Sequence, residues 1–325
     1  MKRFINILYV ADPVAPNTTS LARAIALAES NRANLTVVDI VPEISAGIDL
    51  AADGTISQAA QQALQNDHLA RLEAMIELCV NKPDNSSRAN VSTQVLTGTV
   101  FLEIIRAVLR EGYDLVIKSA EDPTWMDRIF GSDDMHLLRK CPCPIWLHKP
   151  QEIARYKSVM AAVDLPEKES DQPELYQNIL TLATSMAVDE SAELHVVHAW
   201  QSMNIHLLAR WVDNPNEVTK ELIDSERARH EKAFLEFRSF VEGMLDEHSS
   251  ASIAPQFHLL PGAPAEVIPA KAKENNADLV VMGTVNRTGI AGLFIGNTAE
   301  AILEQLHCSV LAIKPANFET PVKLP

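Results

Sequence analysis

The segment GTVNRTGIAGLFIGNT, residues 283–298, gathers Gly283, Thr284, Asn286, Arg287, Gly296, Asn297 and Thr298 between a short apolar run and a helical pattern. A strand that empties into a glycine loop and then a helix start is the backbone arrangement that binds phosphate, because unpaired N–H groups converge there. The spacing is Gly283, two residues, Asn286, nine residues, Gly296. Asn tolerates a left-handed backbone better than most residues, so Asn286 is compatible with a tight loop. Arg287 adds positive charge for an anionic group. A second kind of chemistry comes from Asp12 and Asp164, each closing an apolar run just before or near a proline. A carboxylate at a strand end accepts hydrogen bonds from a base or a sugar, and it is equally a common turn residue.

An earlier segment, SAEDPTWMDRIFGSD (119–133), occupies the same place in a similar pattern but carries other chemistry. Ser119 stands in the position of Gly283, Glu121 and Asp122 add negative charge, and Pro123 removes a donor. Gly131 and Ser132 remain, followed by Asp133 and Asp134, which suit a helix N-terminus and compete there with an anionic ligand. This first site reads as degenerate toward phosphate. Trp125, Met126 and Phe130 leave an apolar or neutral ligand open.

These two segments belong to a repeat that spans the chain. The same 164 positions separate Gly98 from Gly262 and Asp114 from Asp278, and 165 separate Gly131 from Gly296 and Cys143 from Cys308. NILYVADP (6–13) and SVMAAVDLP (158–166) are matching apolar runs that end in Asp near Pro. A constant offset over several segments is the signature of duplication. The expected organisation is one module over 1–150, a second over 157–315, and a tail over 316–325.

Each copy alternates strand and helix. In the first, strands are expected at 4–11, 34–41, 91–97, 114–119 and 144–148. Helices fall at about 56–81, 99–111 and 133–140, besides a stripe of Leu21, Ala24, Ile25 and Ala28 at helical spacing. In the second, strands fall at 158–164, 192–199, 253–260, 278–283 and 309–314, with helices at 173–188, 216–246, 264–275 and 297–306. Near-continuous apolar strands alternating with helices predict a parallel sheet covered on both faces. Five strands per copy suggest an α/β, doubly wound, Rossmann-like domain that holds its ligand at the carboxyl ends of the strands.

The glycine loop, the strand-end Asp and the five-strand alternation together resemble the universal stress protein family. Nucleotide-binding members of that family carry G-x2-G-x9-G-[S/T] in this loop, and the duplication resembles its tandem members. Gly283 and Gly296 match the pattern; Asn286 replaces the second glycine and Asn297 the hydroxyl residue, with Thr298 one place late. The resemblance covers essentially the whole chain. It implies a cytoplasmic stress-response protein that promotes survival under starvation, oxidation or DNA damage and holds ATP or another adenine nucleotide, with Mg2+, in the second copy. It also implies an internal pseudo-dimer paired through the last strands, with a further homodimer open to it. The expected class is a binding protein with no defined reaction; a weak ATPase and a ligand-free adaptor are the alternatives. A pyrophosphatase is disfavoured, because neither ADPVAPNTTS nor VDLPEKESD carries its serine-glycine loop.

The totals agree with a small-molecule or protein partner. The 325 residues exceed the ~250–300 that one core usually supports, and 47% hydrophobic content fills two cores. A net charge of −15 argues against direct nucleic-acid binding and against an anionic membrane surface. Cys141 and Cys143 form C-x-C, read mainly as small residues before a last strand, with metal or redox chemistry the minority reading. His195 and His258 fall on neighbouring strands, read mainly as satisfied histidines, with a metal or polar-ligand role the minority reading. No metal ligands are assigned.

Overall fold

The computed structural model describes residues 4–11, 18–44, 55–80, 90–120, 132–149, 155–165, 173–201, 215–248, 253–284 and 296–324. They fall into two compact units. The first holds β1 (Asn6–Val10), α1 (Thr18–Asn31), β2 (Asn34–Val41), α2 (Thr55–Val80), β3 (Asn90–Thr97), α3 (Val100–Glu111), β4 (Leu115–Ser119), α4 (Ser132–Lys140) and β5 (Ile145–His148). It also includes the chain's last strand, β10 (Ser309–Ile313). The second holds β6 (Ser158–Ala162), α5 (Pro173–Glu190), β7 (Glu193–Trp200), α6 (Pro215–His248), β8 (Gln256–Pro261), α7 (Pro264–Glu274), β9 (Leu279–Gly283) and α8 (Asn297–Leu303).

Strands of the first unit run in the order β3-β2-β1-β4-β5-β10. All its neighbours are parallel except β5 and β10, which pair antiparallel with Leu311 opposite Trp146. The last strands of the two sequence repeats therefore meet edge to edge, as the resemblance implied. The second unit is parallel, in the order β9-β6-β7-β8. That repeats β4-β1-β2-β3 of the first unit, so each copy reverses strand order between its first and fourth strands. An open parallel sheet places its ligand crevice at that reversal.

Apolar patterning explains the cores. Ile7, Leu8, Leu35, Val37, Val38, Leu115 and Val116 are fully buried in the first sheet, and Leu21, Ala24 and Ala28 of the predicted stripe cover it. Val159, Met160, Val196, Val197, Val280 and Val281 do the same in the second.

Two matched pairs from the repeat have local physical causes. Gly98 (φ 140°) and Gly262 (φ 134°) take a backbone that side chains avoid. Their N–H groups donate to the Val41 and Trp200 carbonyls that end β2 and β7. A Cβ on Gly262 would lie 2.6 Å from Val267 Cγ1. Asp114 accepts from the N–H groups of Ile5 (2.7 Å) and Asn6 (3.1 Å), and Asp278 from those of Lys157 (2.6 Å) and Ser158 (3.1 Å). Each aspartate thus fastens the start of one central strand to the start of the next. Helix α8 is shorter than expected and ends at Leu303, where the Gln305 amide caps the Ala301 carbonyl (2.8 Å).

Candidate functional site at the carboxyl ends of β6 and β9

β6 and β9 pair with Ala162 opposite Met282, which brings Asp164 and Thr284 to the same level of the carboxyl edge. The backbone leading to Asp164 is held firmly. Val163 N–H donates to the Val197 carbonyl (3.0 Å), and its own carbonyl faces His198 Nδ1 at 3.2 Å. A carbonyl only accepts, so Nδ1 carries the proton. Asp164 itself is solvent exposed. His198 is thus the support under the Asp164 turn.

On the β9 side, Thr284 is completely buried and its carbonyl accepts from Gly296 N–H at 2.9 Å. This one bond closes the base of the glycine loop and places the start of α8 beside the end of β9. Thr284 Oγ1 has no hydrogen-bond partner among the described residues. Gly296 caps α8 with an extended backbone (φ −64°, ψ 137°), and its carbonyl accepts from Glu300 N–H (2.9 Å). Asn297 and Thr298 are exposed in the first turn. Helix geometry leaves the first-turn N–H groups without intrahelical partners. Gly296 N–H, spent on Thr284, is not among the donors left for a ligand.

Gly283 has a packing part of its own. It is not among the described glycines with positive φ. A Cβ there would sit 3.3 Å from Leu175 Cδ2 and 3.7 Å from Ile179 Cδ1. The missing side chain therefore lets α5 lie close on the strand end. Asn286 and Arg287 lie outside the described residues.

The equivalent edge of the first unit is built from charges. Lys118 Nζ lies 2.8 Å from Asp134 Oδ1, with Asp134 wholly buried and Lys118 8% exposed, and Lys118 also donates to the Ser119 carbonyl (3.3 Å). Asp134 was expected to repel an anion from the helix start; it is turned inward and neutralised. Nearby, burial, reinforced by the Arg23 guanidinium, lowers the pKa of His148 to about 4. Ser132 is the exposed first residue of α4, while Asp12 and Gly131 lie outside the described residues.

His195 and His258 do meet. Nδ1 of the first is 3.1 Å from Nε2 of the second. Burial, then the Lys271 ammonium, holds His258 near a pKa of about 4, and burial lowers His195 as well. Two neutral imidazoles sharing one proton account for that distance. Among the described residues, no group of three His, Cys, Asp or Glu side chains is placed to hold a metal ion. Nor is any of their helices long and apolar enough to cross a membrane.

Comparison with known proteins adds the lineage. A model of the universal stress protein family matches residues 4–149 and again 155–314. Universal stress protein E of Photorhabdus laumondii is 29% identical over 335 aligned positions, covering 99% of both chains. A universal stress protein E homolog of Haemophilus influenzae is 30% identical, covering 97% of this chain and 98% of its own. Among solved structures, a functionally unknown protein of Pseudomonas aeruginosa superposes with a TM-score of 0.68 at 25% identity, over 97% of this chain and 94% of that one.

Proposed function

The chain belongs to the universal stress protein family as a tandem member, and from that premise we propose that it is a nucleotide-holding stress-response protein whose ligand sits in the second repeat. The observation that carries the reading is the Thr284–Gly296 bond, which closes the glycine loop at its base beside the exposed Asp164 carboxylate. An adenine nucleotide fits that chemistry. Asp164 would accept hydrogen bonds from the sugar or base, and the first turn of α8 would face the phosphates, whose remaining charge Mg2+ and Arg287 would balance. The chain acts by binding, with no chemical step of its own, in cytoplasmic survival of starvation, oxidation or DNA damage.

Titration of ATP with Mg2+ into the full chain tests this. One nucleotide per chain is expected, with Asp164→Ala weakening it about tenfold, the worth of one good hydrogen bond to a charged group. Asp164 is exposed, so this variant folds like the parent. Absence of binding by the wild-type chain would overturn the reading. Phosphate release during the titration would replace a holding role with an ATPase.

A further inference from the structure

A second chemistry sits away from the nucleotide edge, in the turn that carries α4 into β5. Cys141 ends the helix, its N–H donating to the Leu137 carbonyl (2.9 Å), and Pro142 separates it from Cys143. The two sulfurs are 3.6 Å apart, both thiols are free, and Cys141 is wholly buried while Cys143 is 8% exposed. The second repeat has Leu306 and Cys308 at the matching positions, so the dithiol is particular to the first.

A cation accompanies it. Lys314, the residue after β10, crosses to α4 and donates through Nζ to the Leu138 carbonyl. It is 6% exposed, and its ring contact with Phe318 (4.7 Å) fixes the ammonium on its other side. Burial lowers its pKa to about 7, and the charge of Cys141 acts against that fall. The pKa of Cys143 is raised by its hydrogen bond with Cys141 and by burial. The pair is therefore asymmetric. Cys141 is the sulfur whose charge the buried Lys314 ammonium feels, and the hydrogen bond with Cys141 together with burial favours the protonated form of Cys143.

We propose that Cys141 and Cys143 form a peroxide-oxidisable dithiol, with Cys141 the attacking sulfur, Cys143 the resolving one and Lys314 the positioned counter-charge. The Cys141 thiolate attacks one oxygen of a hydroperoxide. The O–O bond breaks, leaving a sulfenic acid, and the departing alkoxide takes up the proton that Cys141 released. Cys143 sulfur then attacks Cys141 sulfur; the S–O bond breaks, and hydroxide leaves with the Cys143 proton as water. Two electrons pass from the sulfurs to the peroxide, and the products are a disulfide, an alcohol and water. The sulfurs need close only from 3.6 Å to about 2.05 Å. Reduction by a cellular thiol would restore the pair.

The experiment treats the reduced full chain with hydrogen peroxide, quenches by unfolding in an alkylating agent, and maps all cysteines by mass. The peptide holding Cys141 and Cys143 is expected to lose both alkyl groups and the mass of two hydrogens, reversibly with reductant, while Cys308 stays alkylated. Cys143→Ser should leave a sulfenic acid on Cys141 that a dione reagent traps. Lys314→Met should slow the reaction about tenfold, the effect of removing one cation beside a reacting thiol, and Lys314→Arg should restore it. Equal alkylation of Cys141, Cys143 and Cys308 in the wild-type chain would overturn the proposal. So would direct passage to sulfonic acid without a disulfide, or an unchanged rate in Lys314→Met.

Discussion

The two repeats share strand order, turn glycines and the aspartates that fasten their central strands, yet their ligand edges are built from opposite materials. At the end of β4 the first carries Lys118, Ser119 and Ala120, and opposite them Asp134 and His148. At the matching positions the second carries Met282, Gly283 and Thr284, with Ala299 and Ile313. The first edge thus satisfies its own charge, committing a buried lysine to a buried carboxylate. The second buries no charge at these places and sets the first turn of α8 at the edge that also carries an exposed aspartate. Charge placement, not the fold, distinguishes the edges of the two copies.

Breaking the ion pair should give the largest effect. Asp134→Ala leaves Lys118 buried without its carboxylate, and about 3–5 kcal/mol of stability should be lost in urea unfolding. The double variant Lys118→Met with Asp134→Ala installs the residues of the second repeat. It should recover most of that loss, because removing both charges also removes their desolvation cost. If the double variant is as unstable as the single one, the equivalence of the two edges is wrong.

Acid sharpens the same contrast. His148 is buried with a pKa lowered from 6.5 to about 4. Between those values the unfolded chain binds the proton and the folded one does not, so stability rises with pH across this window. The contribution is complete above pH 6.5 and is lost as pH falls to about 4, on the order of 3 kcal/mol in all. His148→Leu, nearer to the Ile313 of the second copy, should flatten the curve there. An unchanged slope would mean that His148 is charged in the fold.

Gly283→Ala probes the smaller effect. Its methyl would press on Leu175, so about 1 kcal/mol of destabilisation is expected, with nucleotide affinity unchanged in the folded chain. A variant of full stability that no longer binds nucleotide would instead assign this glycine to phosphate approach.

Much of the fold is legible in the chain itself, because duplication writes each signal twice. Gly98 and Gly262, or Asp114 and Asp278, are unremarkable singly, and their constant spacing turns each pair into a shared backbone demand. Buried parallel strands are legible for a similar reason, since both faces need apolar residues. The site was less readable. Lys118 and Asp134 sit on separate elements, and nothing in linear order shows that one neutralises the other. A glycine that admits a helix looks the same in sequence as one that admits a phosphate, and the contact of Gly283 with Leu175 is visible only in three dimensions. The Thr284 carbonyl and the His198 support are backbone contacts, which residue type leaves unmarked.

Nucleotide is expected at the second edge and not at the first. Photolabelling of the wild-type chain with an azido-adenine nucleotide, followed by peptide mapping, tests it most directly. Label confined to peptides containing Asp164 or the 283–298 segment, and displaced by ATP, is the predicted result. Displaceable label on the peptides of β4, α4 or β5 in the first repeat would contradict the account.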